Sequence, residues 1–411
     1  MRALGVTILI CTLSFIGSAQ NFWNPIPYPD STKAYAMNVE HDEYIFYSNW
    51  RDPDGIYRSD SEIIDWEFTG TGYYWTFDMA FNSNNTMFWA SAHCILRSDD
   101  LGVTFDTVML SIANIVSIEI DEYDGIWVGY PGGISLSTDD GITWDSVLIV
   151  DNHELFFDFA FGLNDEIYTV STHWTAPGGG FYKSLDYGTT WINTGLSGNP
   201  AKTVAVNSIG DIFVGCHYTG LFLSTDNGET WENIKSDIDC ETIVIDNEDK
   251  VYCGNAGQNW VHTLGVHMSD DYGETWETIN TGLINKHVWN LYLDSENFLY
   301  ALSAYDYGNQ LYKSNNPIVT IEDNSHSFTP MSAYPNPFTT STTIEYELTK
   351  PSPIQISIYN AIGESILQAD KGVMPPGKHT FTWTPERLPE GLYIVEVAWD
   401  EYRVRRKLIV Q

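Results

Sequence analysis

The stretch Ser224-Thr225-Asp226-Asn227-Gly228-Glu229-Thr230-Trp231 decides the reading of this chain, because four further segments carry the same Ser-x-Asp-x-Gly-x-Thr-aromatic pattern. They run from Ser98 to Phe105, Ser137 to Trp144, Ser184 to Trp191 and Ser269 to Trp276. Each has the chemistry of a tight turn between two strands. The carboxylates of Asp100, Asp139, Asp186, Asp226 and Asp271 can accept from amides of their own turns, and Gly102, Gly141, Gly188, Gly228 and Gly273 take a positive-φ position at little cost. The threonine that follows restarts a strand, and the aromatic ring (Trp144, Trp191, Trp231 and Trp276 in four copies) offers a large area to bury.

A second unit recurs just before these turns: alternating apolar residues, a polar turn, then an apolar-aromatic pair. Its copies are Met37 to Tyr47, Met79 to Trp89, Ile118 to Val128, Phe159 to Thr169, Val204 to Val214, Ile243 to Cys253 and Leu291 to Ala301. Strict alternation over such short runs predicts β-hairpins, here the inner two strands of a four-stranded unit. Including degenerate copies at Ser59 and Ser314, the serines that open the turns lie 39, 39, 47, 40, 45 and 45 residues apart. A period of 40 to 45 residues with four strands per unit predicts a β-propeller of seven blades over residues 20 to 318. The seventh unit stops where an outer strand should begin, and Phe22-Trp23-Asn24-Pro25-Ile26 resembles the half-repeat Thr230-Trp231-Glu232-Asn233-Ile234. The N-terminal segment is therefore expected to complete the last blade and to close the ring.

The repeat vanishes after residue 318, and a polar linker over 319 to 332 leads to a second all-β domain over 333 to 411. Strand-like runs lie at Thr342 to Leu348, Ile354 to Tyr359, Thr380 to Trp383, Leu392 to Val397 and Val404 to Val410, which suggests a small Ig-like β-sandwich.

The five intact turns resemble the Asp-box, the bacterial neuraminidase repeat found in sialidases, xyloglucanase-type hydrolases, sortilin and non-catalytic propellers. That resemblance implies that Ser98, Ser137, Ser184, Ser224 and Ser269, with their aspartates and glycines, are structural and lie away from a ligand site. The second domain is similar to the type A C-terminal sorting domain of the type IX secretion system, through Tyr334-Pro335-Asn336-Pro337-Phe338, Ile358-Tyr359-Asn360-Ala361-Ile362-Gly363, Leu388-Pro389-Glu390-Gly391-Leu392-Tyr393 and the end Lys407-Leu408-Ile409-Val410. It implies passage of the outer membrane on the type IX machinery, then release or anchoring at the cell surface.

Charge narrows the partners. Formal net charge is -36 at pH 7, and residues 20 to 326 hold ten basic against 46 acidic groups. Such a surface repels phosphate backbones and argues against nucleic acid and anionic membranes. Arg2, the apolar run from Leu4 to Ile16 and Gly17-Ser18-Ala19 predict a signal peptide over residues 1 to 19. No later stretch is apolar for long enough to span a membrane, and a monomer is expected. Cys94, Cys216, Cys240 and Cys253 form no recognisable disulfide framework and read as buried thiols.

The sialidase chemistry needs three convergent arginines, a bidentate task that lysine does poorly. This ring offers only Arg51, Arg58 and Arg97. The face opposite the Asp-boxes is expected to carry aromatics instead: Trp50, Trp75, Tyr130, His173, Trp174, His217, Tyr218, Trp260, His262, Trp289, Tyr305 and Tyr307. Flat amphipathic rings suit stacking on sugars or an interface with protein. Hydrolysis would need a pair of carboxylates, for which Asp78 and Asp158 at equivalent strand entrances are the candidates, against a plain hydrogen-bonding role. His93, His173, His217 and His262 lack close metal-ligand spacing, so no zinc site is expected. The acidic turns Asp121-Glu122-Tyr123-Asp124-Gly125 and Asp246-Asn247-Glu248-Asp249 could hold calcium, with solvated turns as the plainer reading. The expected function is an exported, non-catalytic binding module for glycan or protein. The alternatives are a xyloglucanase-like hydrolase and an assembly factor like the plant photosystem propellers.

Overall fold

The computed structural model describes residues 21–410 apart from 28–33, 41–43, 50–54, 61–65, 70–75, 112–113, 163–165, 174–178, 257–264, 304–309, 319–331, 337, 349–350, 361–364, 386–388, 390 and 400–401. Residues 1–19, expected as a signal peptide, the expected linker apart from Ser332, and Trp50, Arg51, Trp75, Trp174, Trp260, His262, Tyr305, Tyr307 and Pro337 lie outside these residues.

Among the described residues, seven four-stranded antiparallel sheets lie between Trp23 and Ser314. We number them I to VII by their inner strands: Ala34–Glu40, Thr76–Phe81, Ser117–Ile120, Glu154–Phe161, Ala201–Val206, Cys240–Ile245 and Val288–Leu293. Each inner strand touches the next, and the last touches the first, so the sheets close into a ring around an axial channel. The hairpin repeats set the register. Met37 pairs Tyr47, Met79 pairs Trp89, Ile118 pairs Val128 and Phe159 pairs Thr169. Val204 pairs Val214, Ile243 pairs Cys253 and Leu291 pairs Ala301. Sheet VII is completed by Trp23–Ile26, which pairs Gln310–Ser314. That places the aromatic of the N-terminal half-repeat, Trp23, fully buried beside Tyr252 and Tyr312.

The core lies between sheets rather than within them. Phe88 and Ile95 of sheet II share a cluster with Ile118, Ile126 and Val128 of sheet III. Tyr168 and Phe181 of sheet IV likewise pack on Val204, Ile212 and Val214 of sheet V. This is why the Asp-box aromatics are large: Trp231 closes edge-on against Phe181 at 4.9 Å, Trp191 against Trp127 at 6.3 Å, each reaching the preceding sheet.

Each Asp-box joins a third strand to a fourth, and all five make one network. In the copy that opens at Ser224, the serine hydroxyl donates to Asp226 Oδ1 (2.8 Å) and accepts the Gly228 amide (2.8 Å). Asp226 also accepts the Thr230 amide at 2.8 Å and its hydroxyl at 2.6 Å. Gly228 has φ of 78°, and a Cβ there would lie 2.6 Å from a Phe181 ring carbon, so the position admits glycine alone.

The cysteines depart from the expectation of four thiols. Cys240 and Cys253 form a disulfide across two adjacent strands of sheet VI, with Cα atoms 6.2 Å apart, while Cys94 and Cys216 are buried thiols. Strand pairing, which their 13-residue separation does not announce, brings the bonded pair together.

Residues from Ser332 onward form a three-stranded and a four-stranded antiparallel sheet over one shared core. Thr342–Leu348 has the bounds its sequence predicts, but Ser365–Met374 is a strand the apolar pattern passes over, because most of its side chains are exposed. Of the sorting motif, Phe338 is buried against Trp383 (5.6 Å), and Tyr393 packs on the same indole. Tyr334 and Pro335, joined by a cis peptide bond, and the backbone of Gly391 stand at the surface. Asn336 is half-buried, and Lys407 lies in the last strand opposite Ile394.

Candidate functional site

The axial channel is built from a register position that recurs in the inner strands. Opposite Gly, Ala, Val or Leu of the second strand stand Asp78, Ser117, Asp158, Thr203, Thr242 and Asn290. In five sheets this side chain bonds the backbone of the following sheet. Asp78 accepts the Ile118 amide (3.1 Å), Ser117 donates to Phe156 O (2.9 Å) and Asp158 accepts the Val204 amide (2.9 Å). Thr203 accepts the Ile243 amide (3.2 Å) and Thr242 the Leu291 amide (3.3 Å). Two residues further along its strand, Asn38 of sheet I donates to Met79 O (3.0 Å). These residues are clamps between neighbouring inner strands.

Asp78 and Asp158 thus occupy equivalent places, with a role the local strand entrance only partly foretells. Each uses one oxygen on the next amide of its own strand, Met79 at 2.9 Å and Phe159 at 2.8 Å, and the other on the neighbouring sheet. Burial pushes the Asp78 carboxyl up to about 7 against those two donors, with the Asp158 charge adding to the rise. Burial likewise pushes Asp158 up to about 6. A third carboxyl joins them: Glu119, two residues beyond the clamp position of sheet III, is raised well above the usual range by burial and by the charges of Asp78 and Asp158. Its equivalents are Ala80, Ala160, Ala205 and Val244 in four other sheets and Asn38 and Tyr292 in the remaining two, so no other carboxyl recurs at this position. Sequence reasoning passes it over because it sits inside an ordinary alternating run.

At the entrance to the inner strands, on the side away from the Asp-boxes, the expected aromatic face divides. Tyr218 is 47% exposed, at a φ of 66°, with its amide held by Asp239 Oδ1 at 2.5 Å. Its ring leans edge-on against the buried His217, at 3.7 Å between centroids. His217 Nδ1 lies 2.5 Å from Glu241 Oε1. Beside them the Lys202 ammonium sits 3.6 Å over the Phe157 ring, its acidity raised by burial and opposed by Glu241. Trp289 and His173 are half-buried. Tyr130, by contrast, packs into the core between sheets II and III and reaches Ser135 Oγ at 3.2 Å, so it is a wedge rather than part of a face.

The acidic turns spend their oxygens internally. Asp121 accepts from the Tyr123 and Gly125 amides, the Trp127 indole and the Tyr187 hydroxyl, while Asp246 accepts from the Glu248 and Lys250 amides and the Tyr252 hydroxyl. Asp124 and Asp249 each take a serine from the preceding sheet, Ser83 and Ser208. Neither turn presents the open oxygen cage calcium requires. Arg58 and Arg97 are bound on the flank, Arg58 to Glu67 and Arg97 to Asp99 and Asp140, and do not face a common point. What does converge is Asp151, His153 and His173, whose ligating atoms all lie within 4.8 Å of one another.

Comparison with known proteins agrees with the architecture. Residues 332–411 match the secretion system C-terminal sorting domain, and residues 222–233 match the BNR/Asp-box repeat. The chain is therefore a β-propeller with Asp-box turns that carries a type IX sorting domain. Compared by sequence with curated proteins, it matches none. Among solved structures it is similar to PorZ, a surface component of the type IX secretion system of Porphyromonas gingivalis, at 14% identity and a TM-score of 0.54, over 93% of this chain and 60% of that one. It therefore spans about 60% of the length of PorZ. YCF48 bound to D1 peptide is similar at 14% identity and a TM-score of 0.58, over 72% of this chain and 98% of that one. A GH74 xyloglucanase from Xanthomonas campestris gives 12% identity and 0.58, over 79% and 59%. At such identities the likeness is one of fold. The sorting domain indicates export by type IX secretion to the surface or medium.

Proposed function

We propose that this chain is an exported, non-catalytic binding module, whose ligand, a glycan or a protein segment, docks on the ring face opposite the Asp-boxes. The observation that carries this reading is the use made of Asp78 and Asp158. Both oxygens of each accept backbone amides, one from the next residue of its own strand and one from the following sheet, which leaves neither in the position of a nucleophile or a free general acid. Supporting it, Tyr218 offers an exposed ring on a backbone pinned by Asp239, so its presentation costs little conformational entropy on binding. YCF48, similar in fold and seen bound to D1 peptide, is a precedent for such a ring holding peptide. We take the seven sheets as seven blades, the tail as an Ig-like sandwich, residues 1 to 19 as a signal peptide and the mature protein as a monomer.

The second reading is a glycoside hydrolase of the xyloglucanase-like class. The upward pKa shifts of Asp78, Asp158 and Glu119 favour it, since a carboxyl kept protonated near neutrality is what glycosidic general-acid catalysis uses. A glycan array with the purified protein, followed by product analysis on every polysaccharide retained, separates the two. Binding without cleavage, weakened by Tyr218→Ala, supports the module. Turnover lost in Asp78→Asn or Asp158→Asn establishes the hydrolase.

A further inference from the structure

We propose that Asp151, His153 and His173 form a binding site for one divalent transition-metal ion of the zinc class, on the rim of sheet IV. The three residues come from two segments that strand pairing makes adjacent. His173 ends the second strand of sheet IV directly opposite Glu154, the first residue of the inner strand, and His153 immediately precedes Glu154. The turn that carries Asp151 and His153 is fixed before any ion arrives. The Glu154 amide donates to Asp151 O (3.0 Å) and the His153 amide to Asp151 Oδ1 (2.9 Å). Gly132 of the preceding sheet ties both ends of the turn, donating to Glu154 O at 2.8 Å and accepting the Val150 amide at 2.9 Å.

Within this frame His153 Nδ1 lies 2.6 Å from Asp151 Oδ1, and the two imidazoles stand 5.9 Å apart, inclined by 32°. The Asp151 and His153 side chains are 61% and 54% exposed, so an ion enters from solvent without opening the fold. Two imidazoles and one carboxylate are borderline donors. They suit zinc, nickel, copper or cobalt, and they disfavour calcium and magnesium, which take oxygen cages. Three protein ligands leave a coordination position open to water or to an anionic group of a docking partner. The strongly acidic ring raises the local concentration of cations. The sequence hides the site because its histidines are 20 residues apart with no short motif.

The untagged full chain, stripped with chelator, is titrated with zinc chloride by calorimetry and with cobalt(II) by visible absorption. The expected result is one saturable equivalent of zinc and a cobalt ligand-field spectrum. His153→Ala and His173→Ala should each weaken zinc binding at least about tenfold and abolish the cobalt bands, and Asp151→Asn should weaken it less. His217→Ala, outside the cluster, should change neither, and calcium chloride should give no saturable heat. Melting curves show that each variant is folded. Absence of a saturable equivalent overturns the proposal, as does binding of the same strength and stoichiometry in the His153→Ala, His173→Ala double variant.

Discussion

Asp100, at an Asp-box, and Asp78, at the channel, each satisfy both carboxylate oxygens with donors of the protein, yet their acidities move in opposite directions. The Thr104 amide and hydroxyl hold Asp100 down at about 2, whereas Asp78, with two amides of its own, is pushed up to about 7. The hydrogen bonds are alike and the surroundings are not. Asp100 sits exposed at a turn tip, where its donors outweigh the desolvation that opposes them. Asp78 is half-buried between inner strands and shares the channel with Asp158 and Glu119, so desolvation and like charge outweigh the donors. An aspartate in a propeller strand is thus not a catalytic acid merely because its acidity is perturbed.

The hardest test of this contrast is Asp158→Ala, measured by urea unfolding at pH 5, where the carboxyl is neutral in the fold. It strands the Val204 and Phe159 amides in an enclosed site and should cost about 2–4 kcal/mol. A loss under about 0.5 kcal/mol would show that the clamp holds nothing. Asp226→Ala should cost less, about 1 kcal/mol at pH 7, since water can reach the amide it abandons. Ligand binding should survive that change, because the turn lies at the far end of the third strand. The smallest effect should be Glu119→Gln, which removes a charge from the channel without touching a clamp. A gain of about 2 °C in Tm at pH 8 with no change at pH 5 is expected.

The pH dependence follows from the same signs. Channel carboxyls have folded values above their unfolded ones, so the fold holds their protons more tightly. Stability is therefore greatest below about pH 4 as far as they are concerned, and declines as pH rises toward about 6 for Asp158 and about 7 for Asp78. Asp100 runs the other way: its contribution is present above about pH 4 and is lost as pH falls toward about 2. Scanning calorimetry from pH 2 to 8 should show a maximum near pH 4 to 5. A profile rising monotonically to pH 8 would mean that the channel is wetter than its lining implies.

Much of the ring is legible in the chain because each blade repeats a local instruction. Met79 and Trp89 announce their pairing through alternation and a polar turn between them, and the Asp-boxes need only eight consecutive residues to close. The candidate site is less legible. Tyr218 reads as a loop aromatic and is one, but Tyr130, which reads the same way, belongs to the core, since exposure depends on what the adjacent sheet places over a ring. Ser365–Met374 escapes the pattern because a mostly exposed strand has no apolar stripe to read.

What the sequence determined by itself is whatever a short segment can enforce: the hairpin registers, the Asp-box turns, the half-repeat that closes sheet VII and the sorting motifs from Tyr334 to Phe338. What only the tertiary structure decided is where segments from different strands meet. That Asp78 and Asp158 bind the next sheet, that Glu119 shares their channel, that Cys240 reaches Cys253 and that Asp151 and His153 face His173 all depend on strands being brought side by side. The physical reason is range. Turn bonds and alternation act within a few residues, whereas convergence and burial are set by the closure of the whole ring.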